Sequence, residues 1–211
     1  MRGTFLTADM VDYPVRFEIE RDATQSRLTN FPLVIGTTIR AILLIPHLIV
    51  LYFIQIASAI VYFIATFAIL FTGSYPTGLF NFYVGYMRWN ANVYGYLFHL
   101  YDKYPPFKLD ATEYPLTLTI EYPATLSRWL NLPLFIGLFI KLILLIPHII
   151  IVAFLYVAAL VVIFIALFAI LFTGSFPEGM HTFVVGVNRW GTRVNAYAYA
   201  LTDAYPPFSL K

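Results

Sequence analysis

The chain repeats itself. Residues 13–109 align with residues 114–210 at a constant offset of 101 positions, without insertion, and roughly half of the aligned pairs are identical. The densest agreement sets Leu43-Leu44-Ile45-Pro46-His47 against Leu144-Leu145-Ile146-Pro147-His148, and residues 67–74 against 168–175. Arg88-Trp89 meets Arg189-Trp190, and Tyr104-Pro105-Pro106-Phe107 meets Tyr205-Pro206-Pro207-Phe208. Both copies must therefore take one structure, and a duplication without length change points to packing about a pseudo-twofold axis. The plan that follows is an N-terminal segment 1–12, a first copy 13–109, a linker 110–113 and a second copy 114–210.

The solvent for this chain is not mainly water. Hydrophobic residues make up 60% and charged residues 11%, with a mean hydropathy of +0.77, against about 25% charged residues in soluble domains. The 20 Phe and 16 Tyr suit a membrane–water boundary. A formal net charge of +2 without a basic run argues against nucleic acid as a partner. The absence of cysteine rules out disulfides, thiolate metal sites and a Cys nucleophile. Residues 1–12 lack the basic-then-apolar order of a cleaved signal, so the first long apolar stretch would act as an internal insertion signal.

Within one copy, Val15 to Glu20 alternates apolar and polar residues, as Leu116 to Glu121 does, the period of a half-buried strand. With the short tails 107–109 and 208–210 these segments are expected to form a small sheet outside the bilayer that ties the copies together. Residues 33–72 are apolar apart from Gly36, Arg40, Pro46 and Gln55. As one helix they would reach about 60 Å, twice the hydrocarbon thickness. A bend is expected at Pro46, separating an interfacial helix over 27–45, with Arg40 snorkelling to the headgroups, from a spanning helix over 47–71. Gly73-Ser74-Tyr75-Pro76-Thr77-Gly78 reads as a turn, and residues 77–101 as a returning helix. Arg2, Arg16, Arg21, Arg27 and Arg40 precede the first span, Lys103 and Lys108 follow the second, and the intervening turn has no basic residue. The positive-inside rule then puts termini and linker in the cytoplasm. The expected fold is an all-α integral membrane protein with four transmembrane helices in two tandem parallel repeats, interfacial helices and a small extramembrane β element.

In order along each copy, an apolar run with Ile-Pro-His, then Phe-Thr-Gly-x-x-Pro-x-Gly, then Arg-Trp and a closing Tyr-Pro-Pro-Phe resembles a bacterial membrane family, the domain of unknown function 4389. The resemblance covers nearly the whole chain, both copies included. It implies a membrane fold and a bacterial cytoplasmic (inner) membrane location. It implies no activity and carries no catalytic residues.

Two sets of residues suggest chemistry. Asn81, Gly85, Arg88, Asn92, Gly95 and His99 fall at spacings of four, three, four, three and four, one small-or-polar stripe on an otherwise apolar helix. The second copy keeps Thr182, Gly186, Arg189 and Arg193 there. If the stripes met on the axis, Arg88, Asn92, Arg189 and Arg193 would make an anion or lipid-phosphate site. In the alternative the arginines bond backbone carbonyls and tyrosine hydroxyls within the bundle, or the helix lies deep in the interface. His47 and His148, each after a proline, are candidate axial ligands for a haem or chlorophyll-type ring, or interface histidines bonding carbonyls freed by Pro46 and Pro147. No nucleophile elbow, zinc, Walker or dinucleotide motif occurs, and Asp102 and Asp203 read as caps or anchors. The expectation is a non-enzymatic protein with no catalytic or metal site, an accessory or scaffold subunit among other membrane proteins and lipids. A lipid or anion carrier and a tetrapyrrole-binding subunit are the alternatives.

Overall fold

A computed structural model describes residues 13–32, 34–111 and 114–211. The expected N-terminal segment 1–12 with Arg2, Leu33 at the head of the apolar run, and residues 112–113 of the expected linker lie outside the described residues. Each copy is a short strand followed by a helical hairpin. The first holds β1 (Val15–Ile19), α1 (Ile35–Thr72) and α2 (Thr77–Leu97); the second holds β2 (Leu116–Ile120), α3 (Ile136–Leu144), α4 (Ile146–Thr173) and α5 (Glu178–Ala198).

α1 runs 38 residues without a break at Pro46, about 57 Å at 1.5 Å per residue. The expected division into an interfacial and a spanning helix is therefore absent from the first copy. The second copy is interrupted at Leu145, with Pro147 in the first turn of α4, where its missing N–H costs nothing. Leu145 stays in the right-handed region, and helical bonds from Leu145 N–H to the Lys141 carbonyl and from Ile149 N–H to the Leu145 carbonyl run across the joint between α3 and α4. Both rods end where the sequence signals it: Gly73 and Gly174 take φ of 76° and 79°, and each N–H bonds the carbonyl four residues back at 2.8 Å.

β1 and β2 pair antiparallel, with Phe17 opposite Leu118. These two are equivalents in the 101-residue offset, so the pseudo-twofold axis passes between them. Val15, Phe17, Ile19, Leu116, Leu118 and Ile120 are buried; Arg16, Glu18, Thr117 and Thr119 face outward. The ribbon packs on α2 and α5, while α1 packs on α2 and α4 on α5. Strands tie the copies together as expected, but the tails 107–109 and 208–210 are not strands.

The copies pack head to tail, which corrects the expectation of parallel halves. Gln25 N–H bonds the Gly174 carbonyl and Leu126 N–H bonds the Gly73 carbonyl, at 2.7 and 2.8 Å. Arg21 reaches the carbonyl of Phe176 at 3.1 Å, and Tyr122 donates its hydroxyl to the carbonyl of Tyr75. The turn of each hairpin thus sits against the segment that leads into the other copy's long helix. This also explains why the charge distribution misled. The turns have no basic residue of their own, but Arg21 and Arg128 of the opposite copies bond carbonyls at or beside them, so both ends of the folded chain are basic.

Among the described residues, two of five helices, α1 and α4, are long and apolar enough to cross a membrane. In each, only 22% of the most apolar window is buried, unlike the core helix of a soluble protein. Four transmembrane helices are not supported, because α2 and α5 carry Arg88 and Arg189 midway along and bury much of their surface against the ribbon and the long helices.

Candidate functional site

The motifs shared by the copies interlock. Trp89 donates its indole N–H to His47 Nδ1 at 2.9 Å, and Trp190 does the same to His148 Nδ1 at 2.9 Å. Phe107 stacks on His47 with centroids 3.7 Å apart, and Phe208 on His148 at 3.9 Å. Tyr104 and Tyr205 bond the carbonyls of Leu43 and Leu144, each at 2.8 Å, in the turn that precedes the proline. The tyrosines, rather than the histidines, thus serve the carbonyls of the proline turn. The His of Pro-His, the Trp of Arg-Trp and the rings of Tyr-Pro-Pro-Phe form one cluster per copy, His and Trp buried beneath an exposed Tyr and Phe, which fastens the chain after the second helix to the first. His47 and His148 are fully buried, and each packs within its own copy rather than facing the other.

A second pair of clusters was not singled out from sequence. Arg40, expected to snorkel, is fully buried. It donates to the carbonyls of Thr29, Tyr96 and Tyr101 at 3.0, 2.6 and 2.8 Å, to Asn30 Oδ1 at 2.8 Å, and to Asp102. Lys141 repeats this in the second copy, bonding Asn131 Oδ1, the Tyr197 carbonyl and Asp203 at 2.7, 2.9 and 3.1 Å. A buried charge needs such a full set of partners. Asp102 and Asp203 also accept Asn30 and Asn131 side-chain N–H groups at 2.8 and 3.0 Å, which makes them anchors as expected. The available signal was a basic residue at 40 and 141 matched by an aspartate at 102 and 203.

The first copy adds a histidine here. His99 has φ of 63°, and its Nδ1 lies 2.8 Å from Asn30 Oδ1, its Nε2 2.9 Å from Thr37 Oγ1. Asn30 Oδ1 only accepts, so Nδ1 carries the proton and Nε2 accepts from the threonine. Burial, and then Arg40 beside it, lower the pKa of His99 to about 3, so the ring is neutral.

The arginine stripe is committed to the backbone. Arg88 bonds the carbonyl of Leu118 through Nε and a terminal nitrogen at 3.2 and 3.0 Å, and that of Leu109 at 3.1 Å. Arg189 bonds the carbonyls of Phe17 and Leu210, both at 2.8 Å. The ladder explains why those carbonyls are available. Glu20 to Pro115 and Glu121 to Pro14 are hydrogen-bonded pairs; by alternation Phe17 and Leu118 are not, and their polar groups point off the ribbon's two edges. Each arginine crosses to the strand of the other copy and ties it to its own tail. Arg193 reaches the Ser209 carbonyl at 3.4 Å and lies 5.5 Å over the Tyr13 ring. Asn92 gives its backbone carbonyl to Tyr101 at 2.7 Å. The four stripe residues are not gathered into one anion site.

What lies on the pseudo-axis is a cavity of about 610 Å³. The ribbon roofs it with Phe17 and Ile19, α2 and α5 form its walls, and the middles of α1 and α4 reach it through Gln55, Ser58 and Tyr156. Among the described residues, the backbones of α1 and α4, and of α2 and α5, do not approach closely; Tyr199, the cap of α5, bridges to Tyr62 and Tyr83 with ring centroids 5.6 and 5.4 Å apart, and the cavity occupies the gap that remains. Its lining diverges between copies that are otherwise half identical. Ser58 answers to Ala159, Met87 to Asn188, Asn90 to Gly191, Ala91 to Thr192 and Tyr94 to Asn195. Among the described residues no group of three His, Asp or Glu is placed to hold a metal ion.

No curated protein and no solved structure matches the chain. Residues 35–108 and residues 136–209 each match the domain of unknown function DUF4389. The boundaries take in each long helix, its return helix and the Tyr-Pro-Pro-Phe tail, and leave out the strands. By these two matches the chain belongs to the DUF4389 family, as a tandem duplication of its domain.

Proposed function

We propose that this is a non-catalytic membrane protein that lies along the bilayer, seats the outer faces of α1 and α4 in lipid, and serves other membrane proteins as an accessory or scaffold subunit. The observation that carries it is the apolar outer surface of the two rods, where Ile42, Phe53, Ile60, Phe63, Phe154, Val157, Val161 and Phe164 are all exposed. Such a surface marks a membrane or protein contact.

Head-to-tail packing favours lying over crossing. Residues at the middle of α1 and α4 share the cavity with Phe17 of the ribbon. If the rods crossed the bilayer, the ribbon would sit at mid-depth, with the exposed Arg16–Glu121 pair in hydrocarbon. Central charges cost about 2.5–3.5 kcal/mol each on insertion scales. Lying flat leaves the ribbon in water and the basic ends at the headgroups. The four-span, multi-pass arrangement with cytoplasmic termini in a bacterial inner membrane is the competing topology. Alkaline carbonate extraction of membranes tests the seat: retention in the pellet is expected, and full release into the supernatant would contradict it. Cross-linking in membranes followed by subunit identification tests the scaffold role, and recovery of the chain alone would count against it.

Anion binding by the stripe is less well supported, since Arg88 and Arg189 already bond two carbonyls each. A tetrapyrrole on His47 or His148 would have to displace the Phe107 or Phe208 stack or the tryptophan bond. A colourless purified protein would remove that reading.

A further inference from the structure

We propose that the cavity on the pseudo-axis is a binding site for a membrane amphiphile with an uncharged, hydroxyl-rich headgroup, a glycolipid. The inference rests on the membrane seat proposed above and goes beyond it by naming a ligand class.

The lining chemistry sets the class. No Asp, Glu, Lys or Arg lines the cavity among the described residues. A charged headgroup would lose its hydration there without a counter-charge. The lining does offer amides and hydroxyls: Gln55, Ser58, Asn90, Asn188, Thr192 and Asn195. Asn188 and Thr192 each spend a donor on a carbonyl of their own helix, Val184 and Asn188, and keep their oxygens as acceptors, while the amides of Gln55 and Asn195 both donate and accept, which suits hydroxyl groups that do the same. Tyrosines 83, 86, 94, 156 and 199 add rings with an apolar face and a polar edge, the combination that the C–H face and O–H rim of a sugar require. A volume of about 610 Å³ falls within the roughly 300–1,000 Å³ of small-molecule sites.

One observation beyond the lining chemistry points to an occupant: the copies hold their interlocking motifs in common and differ where they line the cavity. Asn188, Thr192 and Asn195 make the second copy's wall the more polar one, facing Met87, Ala91 and Tyr94. Packing about the axis alone would be met by like walls. An asymmetric ligand requires unlike ones.

The entrance fits an amphiphile. Gln55, Tyr94 and Asn195 at the cavity are exposed, and the apolar outer faces of α1 and α4 run past it. A headgroup inside leaves its acyl chains along those faces.

The test uses the full chain in nanodiscs of phosphatidylglycerol containing monoglucosyl diacylglycerol, read by native mass spectrometry after stepwise lipid removal. One glycolipid retained per chain, with tenfold or greater preference over phosphatidylglycerol, is expected. Asn188→Leu combined with Thr192→Val should abolish the preference while the melting temperature stays within a few degrees of the parent. Asn90→Leu on the opposite wall should weaken it, which guards against a folding defect in the first variant. Equal retention of the two lipids, or a preference unchanged in both variants, overturns the proposal. Free glucose or maltose competing as well as the glycolipid would overturn the lipid source and leave a soluble sugar. Failure of the chain to co-purify with nanodiscs overturns the membrane seat instead, so the two failures are distinguishable.

Discussion

Arg88, on the return helix of the first copy, holds the main-chain carbonyl of Leu118, on the strand of the second, at 3.0 Å. Arg189 holds the carbonyl of Phe17 reciprocally at 2.8 Å. Two arginines midway along the return helices therefore close the edges of a two-stranded ribbon that would be marginal alone. They make the ribbon a joint between the copies.

Replacing Arg88 or Arg189 with Gln should lower stability by about 2 kcal/mol, the range of hydrogen bonds to charged groups. Lysine should rescue only partly, since one ammonium does not reproduce the fork that reaches strand and tail together. Thermal melts in detergent check this, and unchanged midpoints would contradict it.

Asp102→Ala leaves the buried Arg40 guanidinium without its counter-charge and should cost about 3–5 kcal/mol. Arg40→Lys should be tolerated far better, because Lys141 fills the same place in the second copy with the same kinds of partner. Equal losses for the two variants would show that the charge itself is not what the site holds.

Gly186→Ala should destabilise strongly. A Cβ there would lie 2.8 Å from the carbonyl oxygen of Leu210, a backbone atom that cannot swing aside. Gly179→Ala, with nothing within 4 Å, is the neutral control. The small residues of the stripe thus admit the chain's own tails. Similar melts for both variants would contradict that role.

Acid should weaken the first copy through His99. Its pKa is about 3 when folded and about 6.5 when unfolded. The unfolded chain therefore takes up a proton that the folded chain refuses as pH falls below about 6.5, and stability drops until about pH 3. His99→Ala should flatten the decline between pH 7 and 4. The second copy already carries alanine at the equivalent position, Ala200, with φ of 60°, so the backbone there accepts the change. A profile parallel to that of the parent would contradict the assignment.

How far these features could be read from sequence depended on whether they were local. The strands followed from alternation at Val15–Ile19 and the turns from Gly73 and Gly174, since period and backbone freedom are properties of a few neighbouring residues. Pro46 misled, because packing of α1 on α2, with Tyr104 on the carbonyl of Leu43, holds a helix that propensity alone would break. Arg40 misled for a similar reason: its partners Tyr96, Tyr101 and Asp102 are more than fifty residues away. Head-to-tail packing was hidden because Arg21 and Arg128 act at the turns of the opposite copy. A rule that counts charges along the chain assigns them to the wrong end.

Membrane orientation is tested most directly by labelling. The chain has no cysteine, so single cysteines at Ser26, Ser74 and Thr117 give clean reporters for a membrane-impermeant maleimide in sealed vesicles of known sidedness. Ser26 and Ser74 flank α1, and Thr117 is on the outer face of the ribbon. If the chain lies along the bilayer, all three label from the same side. Labelling of Ser26 and Ser74 from opposite sides would mean that α1 crosses, and would contradict the account.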